Sequence, residues 1–257
     1  MKNILEQTGK FILGAAQSAG GTIYLLIKSL YWSKTFFPNR DKIVRQMDQA
    51  GVGSLPIVLL VSAFSGMVLA LQTGLELSRF QMQEMIGSLV AVSMVREMGP
   101  VMTAVIVSGR AGAAIAAELS TMRVSEEIDA LEAMSINPAR FLAMPRIVAL
   151  IIMMPVLTLF SILIGVFGGA LIGQSIMNVH YITFLQRGVD FVEYRDILSG
   201  LAKAVTFAVI ISSISCYQGM NAFGGAEGVG KATTRAVVLS FLFVIIANYI
   251  VTGFFYD

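Results

Sequence analysis

Apolar positions in this chain run in long unbroken blocks rather than in the alternation of a half-buried strand. Residues 55–75 carry no charge, and as a helix they measure about 31 Å, enough to cross a bilayer. Residues 86–117 form a second block, broken by Arg96-Glu97 and with Arg110 near its far end. Residues 147–177 are uncharged and longer than one crossing needs. That helix is expected to tilt, to kink at Pro155, or to project from the membrane. Residues 197–220, with Lys203 near the start, and residues 236–256 complete five spans. Residues 11–32 are apolar but diluted by Gly14, Gln17, Ser18, Gly20 and Gly21, with basic flanks and Tyr24, Tyr31 and Trp32. They read as a helix lying in the membrane interface, with a spanning helix as the alternative.

Composition sharpens this pattern into a class. The 257 residues are 56% hydrophobic and 13% charged, with mean hydropathy +0.78; soluble domains average about 25% charged. An all-α integral membrane protein with one domain, residues 1–257, is expected. No A-x-A cleavage pattern follows the first apolar segment, so no cleaved leader is expected. The net charge of +2 and the lack of a basic, aromatic-interleaved patch argue against nucleic acid. One cysteine, Cys216, and one histidine, His180, exclude a His/Cys metal cluster. His180 reads as a loop residue in the polar stretch 178–196. No H-E-x-x-H or G-x-S-x-G is present, so the chain is not expected to be an enzyme.

The basic residues also orient the spans. Those before residue 46, with Arg110, Arg123, Arg140, Arg146, Lys231 and Arg235, fall on one side; Arg79, Arg187 and Arg195 fall on the other. The positive-inside rule puts the amino terminus in the cytoplasm and the carboxyl terminus outside.

The chemistry concentrates in residues 96–138. A charge at the centre of a span costs about 3 kcal/mol on insertion scales, so Arg96 and Glu97 are candidate site residues. Ser93, Glu97, Ala104, Ser108 and Gly112 share one small or polar face at spacings of four and seven. Pro100 should kink the helix beside the charges. This reads as a cavity wall; the plainer alternative is an ion pair used only for packing. Small residues from Gly109 to Ala117, and Gly165, Gly169 and Gly173, read as close-packing faces whose partner could be this chain or a second copy. Residues 123–138 read as an acidic amphipathic helix. Ser125 caps it, Glu126, Glu127, Asp129 and Glu132 are on its polar side, and Val124, Ile128, Leu131 and Met134 or Ser135 are on the other. Asn137-Pro138 ends it. Its acidity argues against an anionic leaflet and for a protein partner. Gly225 to Ala232 matches most of a phosphate-binding loop, but Ala232 stands where the magnesium-binding hydroxyl belongs, and no strand precedes it. A flexible loop is expected there, without ATP binding.

Several separated motifs now appear in order: V-R-E-M-G-P at 95–100, G-R-A-G at 109–112, A-E at 117–118, S-E-E-I-D-A-L-E-A-M at 125–134, N-P-A-R at 137–140 and P-R at 145–146. Outside them lie G-M-V-L at 66–69 and K-A-T-T-R at 231–235. The chain from about residue 45 onward resembles the MlaE family, permease subunits of ABC lipid transporters that work with MCE proteins. Glu127 departs from the glutamine the family often has there. The resemblance implies a homodimer in the bacterial inner membrane, each copy with five spans, an amino-terminal interfacial region at 1–50 and a coupling helix at 123–138. It implies a cytoplasmic ATPase subunit holding the ATP and magnesium, a STAS-domain subunit, and a hexameric periplasmic MCE protein. Phospholipid would sit in a cavity between the two copies, maintaining outer-membrane lipid asymmetry. Glu97 and Arg96, with Leu69, Leu77 and Phe80, would contact the lipid. Glu126, Glu127, Ile128, Asp129 and Leu131 would couple to the ATPase. A non-transporting scaffold that recruits a soluble partner is the alternative; it would need the acidic helix but not Glu97.

Overall fold

The computed structural model describes the backbone of residues 2–35 and 39–256, and the side chains of residues 13–256 except at 15, 33 and 35–38. The side chains of Lys2, Lys10 and Phe11 lie outside the described residues. Helix α1 spans Lys2–Tyr31. The long helices are α2 (Arg40–Arg79), α3 (Gln83–Val124), α5 (Ala139–Ser175), α7 (Tyr194–Met220) and α8 (Gly225–Tyr256), each long and apolar enough to cross a membrane. Between them lie the short α4 (Glu127–Ala133) and α6 (Tyr181–Phe191).

α3 is the central post. It contacts α2, α5, α7 and α8, while α2 packs along α5, α5 along α7, and α7 along α8. The closest approach is at Gly66 of α2. A side chain there would strike the carbonyl of Gly165 on α5, so the two backbones touch, which only glycine permits. Ser62 and Ser161 hydrogen-bond one turn away at 2.6 Å. The predicted Gly165, Gly169 and Gly173 face therefore packs within this chain, against Met94, Val90 and Phe184.

The main apolar core joins Val107, Ile115 and Leu119 of α3 to Leu150, Met154 and Leu157 of α5 and Phe207 and Ile211 of α7. A second cluster gathers around Phe184 of α6 with Ile86, Val90, Met94 and Ala170. These clusters divide the bundle into an α4 end and an α6 end.

The structure corrects the expected boundaries in four places. The spans extend beyond their apolar blocks, because polar ends continue the helices outside the apolar zone. The Gly-rich stretch after Gly224 is not a flexible loop: α8 begins at Gly225. Gly224 and Gly225 make the turn at positive φ. Lys231 pairs with Glu227 one turn back at 2.5 Å, and Gly228 fits under the carbonyl of Phe223. The polar stretch 178–196 holds α6, whose Phe184 and Gly188 are buried; His180 is exposed just ahead of it.

The fourth correction concerns the acidic helix, which is shorter than residues 123–138. Ser125 belongs to the end of α3, and the chain turns at Glu126, whose φ of 61° is left-handed. Ser125 therefore makes no side-chain cap. α4 ends at Ala133, before Asn137-Pro138, and Ser135 also has positive φ. Asn137 instead receives the Ala139 N–H on its side-chain oxygen at the start of α5.

Candidate functional site

The site is built around Pro100. In a regular helix its missing N–H would leave the carbonyl of Arg96 without a donor, and its ring would crowd that carbonyl. The backbone answers with a wider π turn at Met94–Met98, in which the Gly99 N–H reaches back to Met94. The freed Arg96 carbonyl is taken by a side chain: Lys203 of α7 donates to it from Nζ at 2.8 Å. Lys203 can do so because α7 comes in close at Gly200, one turn earlier, where a Cβ would lie 2.6 Å from the Val95 carbonyl.

The same ammonium donates to Glu97 Oε1 at 2.6 Å. Thr252 of α8 donates to that oxygen at 3.0 Å, and Asn248, one turn earlier, donates to Oε2 at 2.8 Å. Lys203 is fully buried, while the Glu97 side chain keeps 36% of its surface open. Arg96 turns to a different partner. Its Nε donates to Asp196 Oδ1 at 2.7 Å, and its guanidinium lies 4.5 Å from the ring centre of Tyr256. The Tyr256 hydroxyl donates to the same Asp196 oxygen at 2.8 Å. Asp196 Oδ2 accepts the Glu193 N–H, closing a capping box at the start of α7. Arg96 and Glu97 are adjacent in sequence but are held by separate partners. Two cations and two anions tie α3, α7 and α8 together, and in a low-dielectric setting each needs its partner.

The predicted face on α3 divides at this point. Ala104, Ser108 and Gly112 are buried, whereas Ser93 and Glu97 are half-buried. The π turns at Met94–Met98 and Ser108–Gly112 shift the helical phase that regular spacing assumes.

The proposed acyl-chain contacts lie elsewhere in the chain. Leu69 and Leu77 pack against the Phe184 cluster, and Phe80 is exposed at the end of α2. Glu97, by contrast, is bound by α7 and α8. On α4, Ile128 is buried and Leu131 half-buried in the main core. Glu126, Glu127, Asp129 and Glu132 face outward, and Asp129 pairs with Arg123. Val124 and Met134, expected on the inner face, are exposed. Two further arginines fasten this end. Arg146 bonds Glu118 at 3.0 Å and the Leu142 carbonyl at 2.7 Å, and Arg110 reaches Ser54 at 3.0 Å.

Comparison with known proteins decides the family. The profile described as Permease MlaE matches residues 43–254. The chain belongs to the MlaE permease family. A probable ABC transporter permease protein of Rickettsia typhi is 43% identical over 252 residues, covering 97% of this chain and 96% of that one. The intermembrane phospholipid transport system permease protein MlaE of Haemophilus influenzae is 37% identical over 252 residues, 98% of this chain and 97% of that one. The chloroplastic protein TRIGALACTOSYLDIACYLGLYCEROL 1 of Arabidopsis thaliana is 34% identical over 240 residues, 93% of this chain and 66% of its own length.

In this MlaE permease the sequence pointed to Arg96 and Glu97 but not to their partners. Asp196, Asn248, Thr252 and Tyr256 lie far along the chain, and nothing local marks them as a set. Lys203 carried a usable signal. An ammonium inside an apolar block must find an anion, and Glu97 is the carboxylate it meets.

Proposed function

We propose that the chain is the permease subunit of an ABC transporter that moves phospholipid between the inner membrane and a periplasmic MCE carrier, and so maintains outer-membrane lipid asymmetry. The observation that carries this reading is Glu97: a carboxylate at span depth, backed by a fully buried lysine yet one-third open. Membership of the MlaE family and likeness to a named phospholipid transport permease support the cargo.

In this reading the amino terminus and α4 are cytoplasmic and the carboxyl terminus periplasmic. Two copies face each other. Leu69, Leu77 and Phe80 of the α2 end supply acyl-chain contacts, and Glu97 and Arg96 line the cavity between copies. The acidic outer side of α4 receives a cytoplasmic ATPase subunit that holds the ATP and magnesium and carries a STAS-domain subunit. Nucleotide-driven motion of α4 passes to α3 and α5, which flank it in sequence, and reshapes the lipid cavity.

The test is Glu97→Lys in cells, with assembly of the complex verified by co-purification. Increased detergent sensitivity is expected; unchanged sensitivity with normal expression overturns the reading. Lipid crosslinks at the Glu97 face separate a transporter from a membrane scaffold, which would give none.

A further inference from the structure

A cavity of about 550 Å³ opens at the α4 end, between the end of α1, the start of α2 and the hinge from α4 to α5. Its walls include Trp32, Lys42, Asn137, Arg140 and Phe141. Both cations lie over aromatic rings: Lys42 Nζ is 3.1 Å from the centre of the Phe141 ring, and the Arg140 guanidinium is 4.9 Å from that of Trp32. Among the described residues neither cation pairs with a carboxylate. Asp41, the nearest acid in sequence, is turned outward beside Arg40. A smaller adjoining cavity of about 270 Å³ differs, because its wall holds Lys28 and Glu132 together.

Two like charges converging on one concave space repel each other, and an anion between them relieves that repulsion. Guanidinium and ammonium together suit a phosphate, the first through paired N–H donors and the second as a point charge. Trp32 and the rings beneath the cations give the cavity the amphipathic lining of a membrane–water boundary.

We propose that this cavity binds a phosphate group carrying net negative charge, supplied by the headgroup of an anionic lipid. Its place differs from that of Glu97: it belongs to the opposite end of α3 and involves none of the same side chains. A bound headgroup joins α1, α2 and the hinge that follows α4. It would therefore couple the charge of the adjacent leaflet to the stiffness of that hinge.

Trp32 is the chain's single tryptophan, so its fluorescence reports on this cavity alone. The full chain in neutral detergent is titrated with dihexanoyl phosphatidylglycerol, dihexanoyl phosphatidylcholine and inorganic phosphate. A saturable change in Trp32 emission is expected with phosphatidylglycerol and not with phosphatidylcholine. Saturation by inorganic phosphate at an equal or lower midpoint than phosphatidylglycerol would make a free anion the occupant and overturn the lipid assignment. The double variant Lys42→Gln, Arg140→Gln should raise the midpoint at least tenfold. If that variant fails to fold, Lys42→Gln alone should raise it severalfold, since its half-exposed side chain is easily replaced. Equal response to the zwitterionic and anionic lipids, no response to lipid or phosphate, or a midpoint unmoved by the substitutions overturns the proposal.

Discussion

Lys203 completes a hydrogen bond that Pro100 cannot make. Its ammonium sits 2.8 Å from the Arg96 carbonyl, the acceptor left over by the proline, and 2.6 Å from Glu97. One buried side chain thus repairs a break in the backbone of α3 and neutralises a carboxylate beside it.

Lys203→Met should therefore destabilise the protein by about 3 kcal/mol, since it strands a carbonyl and unpairs a partly buried charge. Thermal unfolding in detergent reads this directly. Combining it with Glu97→Gln should cost less than the sum of the two, with a coupling of about 1–2 kcal/mol. Strict additivity would show that the two groups act independently.

Asp196 accepts from three directions, and Tyr256 supplies only one of them. Tyr256→Phe is expected to cost about 1 kcal/mol. Asp196→Asn should cost clearly more, because it leaves Arg96 without its counter-charge. Equal losses in melting temperature would contradict the geometry.

Gly66 and Gly165 face each other but should tolerate alanine differently. At Gly66 the added methyl meets the backbone of α5, which cannot yield without moving the helix. At Gly165 it meets chiefly the end of the Met94 side chain, which can swing away, and stands 3.2 Å from the Ser62 carbonyl, which needs only a small adjustment. Gly66→Ala is expected to cost about 3 kcal/mol and Gly165→Ala about 1 kcal/mol, as measured by unfolding or by yield of monodisperse protein.

The outward acids and inward apolar residues of α4 should separate in experiment. Glu126→Lys with Glu127→Lys is expected to abolish co-purification of the ATPase subunit while leaving the permease folded. Ile128→Ala is expected to lower permease stability by about 2–4 kcal/mol, because it empties part of the main core. ATPase retained by the charge-reversed protein would refute the docking face.

The spans were legible because a bilayer demands long apolar helices, and that demand writes itself into consecutive residues. Arg96 and Glu97 were legible for the converse reason: charges stand out in such blocks. What escaped is what depends on partners distant in sequence. The glycines near 225 favoured a loop by local preference, yet packing at Phe223 and the Lys231–Glu227 pair hold a helix. Tyr181, Phe184, Leu185 and Gly188 carry helical spacing inside a polar stretch, but the surrounding charges mask it. The α3 positions from Ser93 to Gly112 do not share one level of burial, and a periodicity argument presumes one residue count per turn, which the π turns change.

The network of Arg96, Lys203, Glu97 and Asp196 has equal numbers of positive and negative groups. A movement that carries all four together therefore transports no net charge across the membrane potential, which otherwise acts with about 2.3 kcal/mol per charge per 100 mV. Moved as a unit, this set adds no gating charge of its own, and neutralising any single member would give it one.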